Sequence, residues 1–375
     1  MKKHFDVLIL DSRYKHSLSV IRCLGKYGLK ILDGSKEFSP SKFSLFSKKS
    51  FKYKNNSFEK DLIEQLRNNY VDLVIPIDYA SNIKCSKIKN KIKKYSNIIT
   101  SDYNLLKVAS DKGKMAKLLK NMKVPLPKSY NIKNIKNIKN IKLTGKVVIK
   151  SIKEELGKKV EYVFSFHEME KKLIERLDLY GSQIVQEYIK GFGCGFFALC
   201  DKGKILQSFQ HKRIRQYPES GGVSSVAESF YNKRMEKYAK EIIKELKWTG
   251  VCMVEFIYNK EADEFYFIEF NPKFWGSLDL SISCGIEFPY LLYKFSKGEN
   301  IIKKNYEIGK RFQWMLPEDI IRIKTSTHKW KSTKEWASDL FDKKTKTDLG
   351  YIFKDPFSTL IKIGGTFYRL LKNET

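Results

Sequence analysis

From residue 5 to about residue 105, short apolar runs alternate with amphipathic ones, and this rhythm limits the fold more than any other feature of the chain. "FDVLILD" has the apolar density of a strand buried on both faces. "SLSVIRCLGKYG" has helical spacing and stops at Gly28, and "LKILDG" is a second strand. "SFEKDLIEQLRNNY" is again helical, and "VDLVIPI" is a buried strand running up to Asp78. Parallel strands need long crossovers and helices supply them, so the pattern predicts a parallel, doubly wound α/β sheet over residues 1–105. The first strand-to-helix turn, "DSRYKHS", has no GxGxxG, which argues against a dinucleotide cofactor.

Further on the pattern changes. "SDYNLLKVASDKGKMAKLLKNMKVPLP" reads as two helical pieces stopped by prolines. "NIKNIKNIKNIK", residues 131–142, repeats every three residues; it fits neither the helical period nor the strand period and is expected to be a linker. From residue 145 strands dominate: "GKVVIKS", "KKVEYVFS", "SQIVQEYI", "GFFALCD" and "GKILQSFQHKRIR". Helices are expected over 166–179, near 231–247 and across "SLDLSISCGIEFPYLLYKFSKG". A chain of 375 residues holds two or three domains. The changes of pattern divide it at 1–105, 106–185, 186–304 and 305–375, the last being a lysine- and tryptophan-rich extension whose pattern leaves its fold open.

"VCMVEFIYNKEADEFYFIEFN" holds two strands joined by a polar turn. A hairpin symmetric about Ala262 places Glu255 opposite Glu269, and Asn271 follows on the same strand face. Facing carboxylates repel, and burial raises at least one of their pKa values unless a cation compensates. Both acids have apolar neighbours, which disfavours a merely solvated face. Three oxygen donors without sulfur or imidazole suit Mg2+, completed by nucleotide phosphates, with Mn2+ as the alternative.

The formal charge of +30 invites a nucleic-acid or membrane partner. Lysine far outnumbers arginine, however, and is spread over the whole chain. That distribution is compositional bias rather than a phosphate-reading surface, where arginine is favoured for its bidentate geometry. No specific nucleic acid is expected, although the charge can help attract an anionic substrate such as ATP. The six cysteines are scattered, with no CxxC pair, and are expected to be reduced. Two lysines and an apolar run at the start imitate a secretion signal, but Asp6 interrupts the run, Asp11 closes it and no cleavage site follows. The segment is expected to be a first strand and the protein cytoplasmic.

"VEF" followed by "IEFNPKFWGSLDLSISCGIEFP" resembles the ATP-grasp superfamily, and within it the carboligase type similar to carbamoyl-phosphate synthase large-subunit domains. The resemblance runs from about residue 5 to 300 and is most specific at the hairpin. It implies a Rossmann-like pre-ATP-grasp sheet followed by a two-subdomain ATP-grasp fold, α/β and α+β in class. By the same resemblance Glu255, Glu269 and Asn271 are the metal ligands, Lys112 and Lys150 contact the phosphates, and Gln186, Glu187, Tyr188 and Ile189 form the adenine hinge. "QHKRIRQYPESGGVSS" corresponds to a substrate loop in which His211, Arg213 and Arg215 alternate onto one face, the arginines suited to an acyl phosphate or a carboxylate.

Three departures stand out. Lys273 occupies the place of an arginine expected to stabilise the transferring phosphate. The glycine-rich flap, expected over 151–160, has only Gly157. Phe192 and Gly193 replace an acidic ribose contact. In "GFGCG" the glycines at 191, 193 and 195 are expected to serve close packing rather than a phosphate loop.

The implied function is an ATP- and Mg2+-dependent carboxylate–amine ligase acting on a small carboxylic acid or amino acid, with room for a homo-oligomer. The alternatives are an ATP-grasp kinase or carboxylase, or a basic nucleic-acid or membrane-surface binder on the same scaffold. The C-terminal "DPFSTLIKIGGTFYRLLKN" is apolar and basic enough for peripheral membrane contact; the preferred expectation is a final helix packed on the core.

Overall fold

The computed structural model describes residues 2–142, 145–152, 160–218 and 221–371. Among them three sheets carry the fold. The N-terminal sheet contains β1 (Lys3–Leu10), β2 (Ile31–Ser35), β3 (Ser47–Lys52), β4 (Asn69–Pro76) and β5 (Asn97–Ile98), all parallel, in the order β3-β2-β1-β4-β5. Alternate residues of β1 supply both faces: Val7 and Ile9 enter one apolar cluster, Leu8 and Leu10 another, which accounts for its continuous apolar run. The order reverses between β1 and β4, and at such a switch point the loops leaving the strand carboxyl ends diverge to leave a crevice. Asp11, just past β1, takes the left-handed conformation (φ 58). It is held there by Tyr53, whose hydroxyl donates to Oδ1 at 2.7 Å.

A small antiparallel sheet follows, with β6 (Ser129–Ile132), β7 (Val147–Ser151), β8 (Glu161–Val163) and β9 (Gln183–Glu187) in the order β6-β9-β7-β8. The repeat over 131–142 is not a linker. It finishes β6 and then forms a 3-10 helix, Ile135–Asn140. Three residues per turn is the 3-10 period, which a period-three repeat can fit. Ile132, Ile138 and Ile141 are buried in the core of the small sheet, whereas Ile135, at the start of the turn, stays exposed.

The large sheet holds β10 (Phe192–Asp201), β11 (Lys204–Tyr217), β12 (Val223–Ser229), β13 (Gly250–Asn259), β14 (Glu264–Asn271), β15 (Arg311–Gln313) and β16 (Thr345–Thr347). Their order is β14-β13-β10-β11-β12-β15-β16. The last two strands come from the extension beyond residue 304, which is thereby stitched to the central sheet. The segment expected as one helix over 277–298 is two, Leu278–Ser283 and Phe288–Ser296, separated at Gly285 in the left-handed conformation (φ 83). No helix among the described residues is long and apolar enough to cross a membrane.

Candidate active site

The hairpin of β13 and β14 pairs Glu255 with Glu269. Near the turn its centre falls between Glu261 and Ala262, because Asn259 faces Glu264 and Phe256 faces Phe267. A bulge between Phe267 and Glu269 supplies the residue that restores the Glu255–Glu269 pairing. Its consequence is a change of side. Phe265 and Phe267 enter the apolar cluster with Cys252, Val254 and Phe256, and so does Phe270, three residues on. Unbroken alternation would have sent Glu269 and Asn271 inward after Phe265 and Phe267. With Ile268 as the extra residue they face outward, beside Met253, Glu255 and Ile257, into an open cleft of about 1120 Å³.

Cations compensate these carboxylates. Arg213 Nη2 donates to Glu255 Oε1 at 2.5 Å, Lys112 Nζ lies 3.2 Å from Glu269 Oε2, and Asn271 Nδ2 donates to Glu269 Oε1 at 2.9 Å. For Glu255, burial raises the pKa, helped by the charge of Glu269 and opposed by Arg213. For Glu269, burial also pushes upward but is outweighed by Lys112, by the amide of Asn271 and by Lys150, so its pKa falls below the usual carboxylate value. The pair thus divides the load, with Glu269 the firmly ionised member.

Lys150 closes β7 from the facing small sheet. Val147 and Ile149 go to that sheet's core, so Val148 and Lys150 point into the cleft. Burial lowers the Lys150 pKa to about 8, against the pull of Glu269. Its Nζ donates to Gln186 Oε1 at 2.6 Å. Gln186, Glu187, Tyr188 and Ile189, at the end of β9 and just beyond, all border the cleft. Two hinge N–H groups are already engaged: Glu187 N donates to Lys128 O and Tyr188 N to Lys146 O. At Gly191 a Cβ would lie 2.0 Å from Tyr258 O, and at Gly193 it would lie 2.9 Å from Arg213 Cδ. These glycines serve close packing, and the second makes room for the arginine that holds Glu255.

Arg213 and Arg215 do not share a face. The β11–β12 register shifts on both sides of Arg215, with Arg213 opposite Ala227 and Arg215 opposite Val226. His211, Arg213 and Gln216 border the cleft, whereas Arg215 turns to Asp319 (2.8 Å) and Asp339 (2.5 Å). Asp319 is fully buried and also accepts from Arg322 and Gln313. Arg215 is therefore part of a structural ion-pair network, which corrects its assignment to substrate. His211 is buried, with Nε2 2.8 Å from Ser277 Oγ, and burial together with Arg213 lowers its pKa to about 3, so it is a neutral imidazole.

The far end of the cleft comes from elements whose contribution the sequence pattern did not reveal. The crevice at the switch point sends in Ser12 to His16, and Lys273 Nζ meets Asp78 at 2.9 Å, joining the large-sheet hairpin to the N-terminal sheet. Tyr14 donates to the same Asp78 at 3.2 Å, and Lys15 pairs with Glu318 at 2.6 Å. The C-terminal helix, Pro356–Leu371, adds Ile361, Lys362, Gly365 and Thr366. The only forewarning was Asp78 itself, a carboxylate at the carboxyl end of a buried strand. Residues 153–159 of the expected flap, and Glu219 and Ser220 of the substrate loop, lie outside the described residues.

Residues 109–277 match the ATP-grasp domain family. No protein of curated function matches the sequence at a significant level. Among solved structures, an L-amino acid ligase from Bacillus licheniformis superposes with a TM-score of 0.62 at 15% identity, over 79% of this chain and 75% of that one. A biotin carboxylase from Campylobacter jejuni, solved as a β,γ-ATP complex, gives 0.66 at 16% identity over 82% and 74%. N5-carboxyaminoimidazole synthetase from Staphylococcus aureus, complexed with ADP, gives 0.65 at 15% identity over 83% and 82%. At these identities the likeness is one of fold.

Proposed function

With an ATP-grasp domain spanning residues 109–277 of the chain, we propose that the protein is an ADP-forming, Mg2+-dependent carboxylate–amine ligase. The observation that carries this reading is the bulged hairpin. It turns Glu255, Glu269 and Asn271 into the same cleft as Lys150 and the segment 186–189. ATP is the nucleotide, and the other substrates are a small carboxylic or amino acid and an amine.

The donor set fits a hard divalent cation. It is all oxygen, one member is firmly ionised, and two cationic side chains, Arg213 and Lys112, already lie against it. Glu255, Glu269 and Asn271 would hold Mg2+, which when bound offsets phosphate charge and aligns the phosphates. The chain's own residues do the rest. Segment 186–189 borders the adenine. Lys150 and Lys112, which border the cleft, would contact the phosphates, and Lys273, held by Asp78, would add a further charge beside them. The substrate carboxylate, guided by Arg213, attacks the γ-phosphorus in line; the bond to the β–γ bridging oxygen breaks, and ADP and an acyl phosphate result. The amine, in its neutral form, then attacks the carbonyl carbon; the C–N bond forms, the bond from that carbon to the phosphate oxygen breaks, and one proton of the nitrogen leaves with the phosphate as hydrogen phosphate. Positioning and charge stabilisation supply the acceleration. The cleft is large enough for nucleotide and co-substrates together.

The test is ADP release from ATP and Mg2+ across a panel of carboxylic acids paired with amines and amino acids, with mass spectrometry of the product. The expected product is an amide. A carboxylated or phosphorylated product would replace the ligase with a carboxylase or a kinase. No binding of ATP in the presence of Mg2+ would sink all three.

A further inference from the structure

The C-terminal helix Pro356–Leu371 is inside out. Its buried side is polar: Ser358, Thr359 and Thr366 are buried, and Lys362 donates to Asp348 at 2.6 Å. Asp355, just before the helix, is fully buried and binds Arg22 (2.8 Å), Ser44 Oγ (2.9 Å) and the backbone N–H of Leu45 (2.9 Å). Arg22 also donates to Ser358 and Thr359. This network fixes the helix on the 3-10 turn Pro40–Phe43. The opposite side carries Phe357, Leu360, Gly364 and Phe367 at helical spacing, with Tyr368 beside them, and the four large side chains are more than half exposed. Phe353 (90% exposed), Leu45 and Phe38 extend the apolar surface across the turn that the helix rests on.

Charge identifies what covers this face. Residues 38–54 contain no acidic residue, and residues 349–368 contain only the buried Asp355. Lys42, Lys48, Lys49 and Lys354 are exposed around the apolar side chains, and Glu37 at the edge is paired with Arg13 at 2.6 Å. A second copy docking symmetrically would set this basic face against an identical basic face. An anionic bilayer complements both parts: acyl chains for the aromatic face and lipid phosphates for the lysines.

We propose that this helix and the turn beneath it form a docking face for anionic membrane surfaces. The helix lies in the interface and does not cross the bilayer. Ile361 and Gly365, on its flank, border the cleft, as does Phe38, so docking sets the cleft mouth beside the headgroups.

The test is co-sedimentation of the full chain with phosphatidylcholine vesicles, with and without phosphatidylglycerol. The wild-type protein should partition onto the anionic vesicles, and more weakly as salt is raised. Phe357→Ser, Leu360→Ser and Phe367→Ser combined should weaken that partition by about tenfold or more while leaving thermal unfolding and ATP binding unchanged. Lys42→Glu with Lys354→Glu should weaken it through charge alone, an independent check should the triple variant fold poorly. Absence of binding by the wild-type protein, or equal binding by both sets of variants, would overturn the proposal. So would a wild-type dimer that the triple variant converts to monomer while neither binds vesicles, because the face would then join two copies of the chain.

Discussion

Raising the pH should weaken ATP binding and strengthen the fold through one residue, Lys150. Burial lowers its pKa from 10.5 to about 8, against the attraction of Glu269, a net cost to the ammonium of about 3 kcal/mol at about 1.4 kcal/mol per tenfold. A bound phosphate restores the charged form, so ATP binding above pH 8 draws a proton from solvent. Affinity should fall by about tenfold per pH unit between about pH 8 and 9.5, and calorimetry in buffers of different ionisation enthalpy should register proton uptake. Stability moves the opposite way. Between pH 8 and 10.5 the unfolded chain keeps the proton that the folded chain has lost, so this group's contribution to stability rises with pH. Lys150→Arg keeps its charge and should flatten the affinity profile; Lys150→Met should bind ATP weakly at every pH, without proton uptake. A wild-type affinity constant from pH 7.5 to 9.5, or proton uptake that survives in Lys150→Met, would refute the reasoning.

Glu269→Gln should lower kcat/KM for ADP formation by about a hundredfold or more, equivalent to about 2.7 kcal/mol, with a higher Mg2+ requirement in steady-state titrations. Arg215→Met should act on the fold instead. With Asp319 and Asp339 losing a buried partner, denaturant unfolding should show a loss of about 3 kcal/mol, while the KM for ATP of the folded enzyme stays as it was. Ile138→Ala should lower stability by about 2–4 kcal/mol and Ile135→Ala by less than about 0.5 kcal/mol, a contrast that urea melts of the two variants would reveal.

Sequence alone reached those parts of the fold that depend on side-chain period. The centre of the N-terminal sheet was legible because β1, β2 and β4 are apolar on both faces, whereas the edge strands β3, with the polar run SKKSFK, and β5, with two residues, gave no such signal. The carboxylate pair was legible because two acids in apolar strands need a reason to be there. Periodicity failed where the backbone breaks it. Arg213 and Arg215 look like neighbours on one face until a shift in register turns the second toward Asp319. The slip in β14 did leave a trace, in the three-residue step from Phe267 to Phe270. The repeat over 131–142 was misjudged because a short 3-10 turn has a period rarely looked for. The far wall of the cleft was invisible for another reason. Lys15 and Glu318, or Asp78 and Lys273, lie hundreds of residues apart in the chain, and only the packing of the N-terminal sheet on the large one unites them.

The extra residue at Ile268 also bears on how such a site arises and is lost. Substitution alters what a strand position carries but not the side to which it points. The same residues paired without the bulge would aim Glu269 and Asn271 at the side of Phe256 and Phe265, whereas deleting Ile268 would leave Glu269 next to Phe267 and still opposite Glu255. The bulge therefore lets the hairpin carry one extra residue without turning the acids over. What would remove the site while leaving every acidic residue in the chain is a slip of the pairing by one residue beyond Phe267.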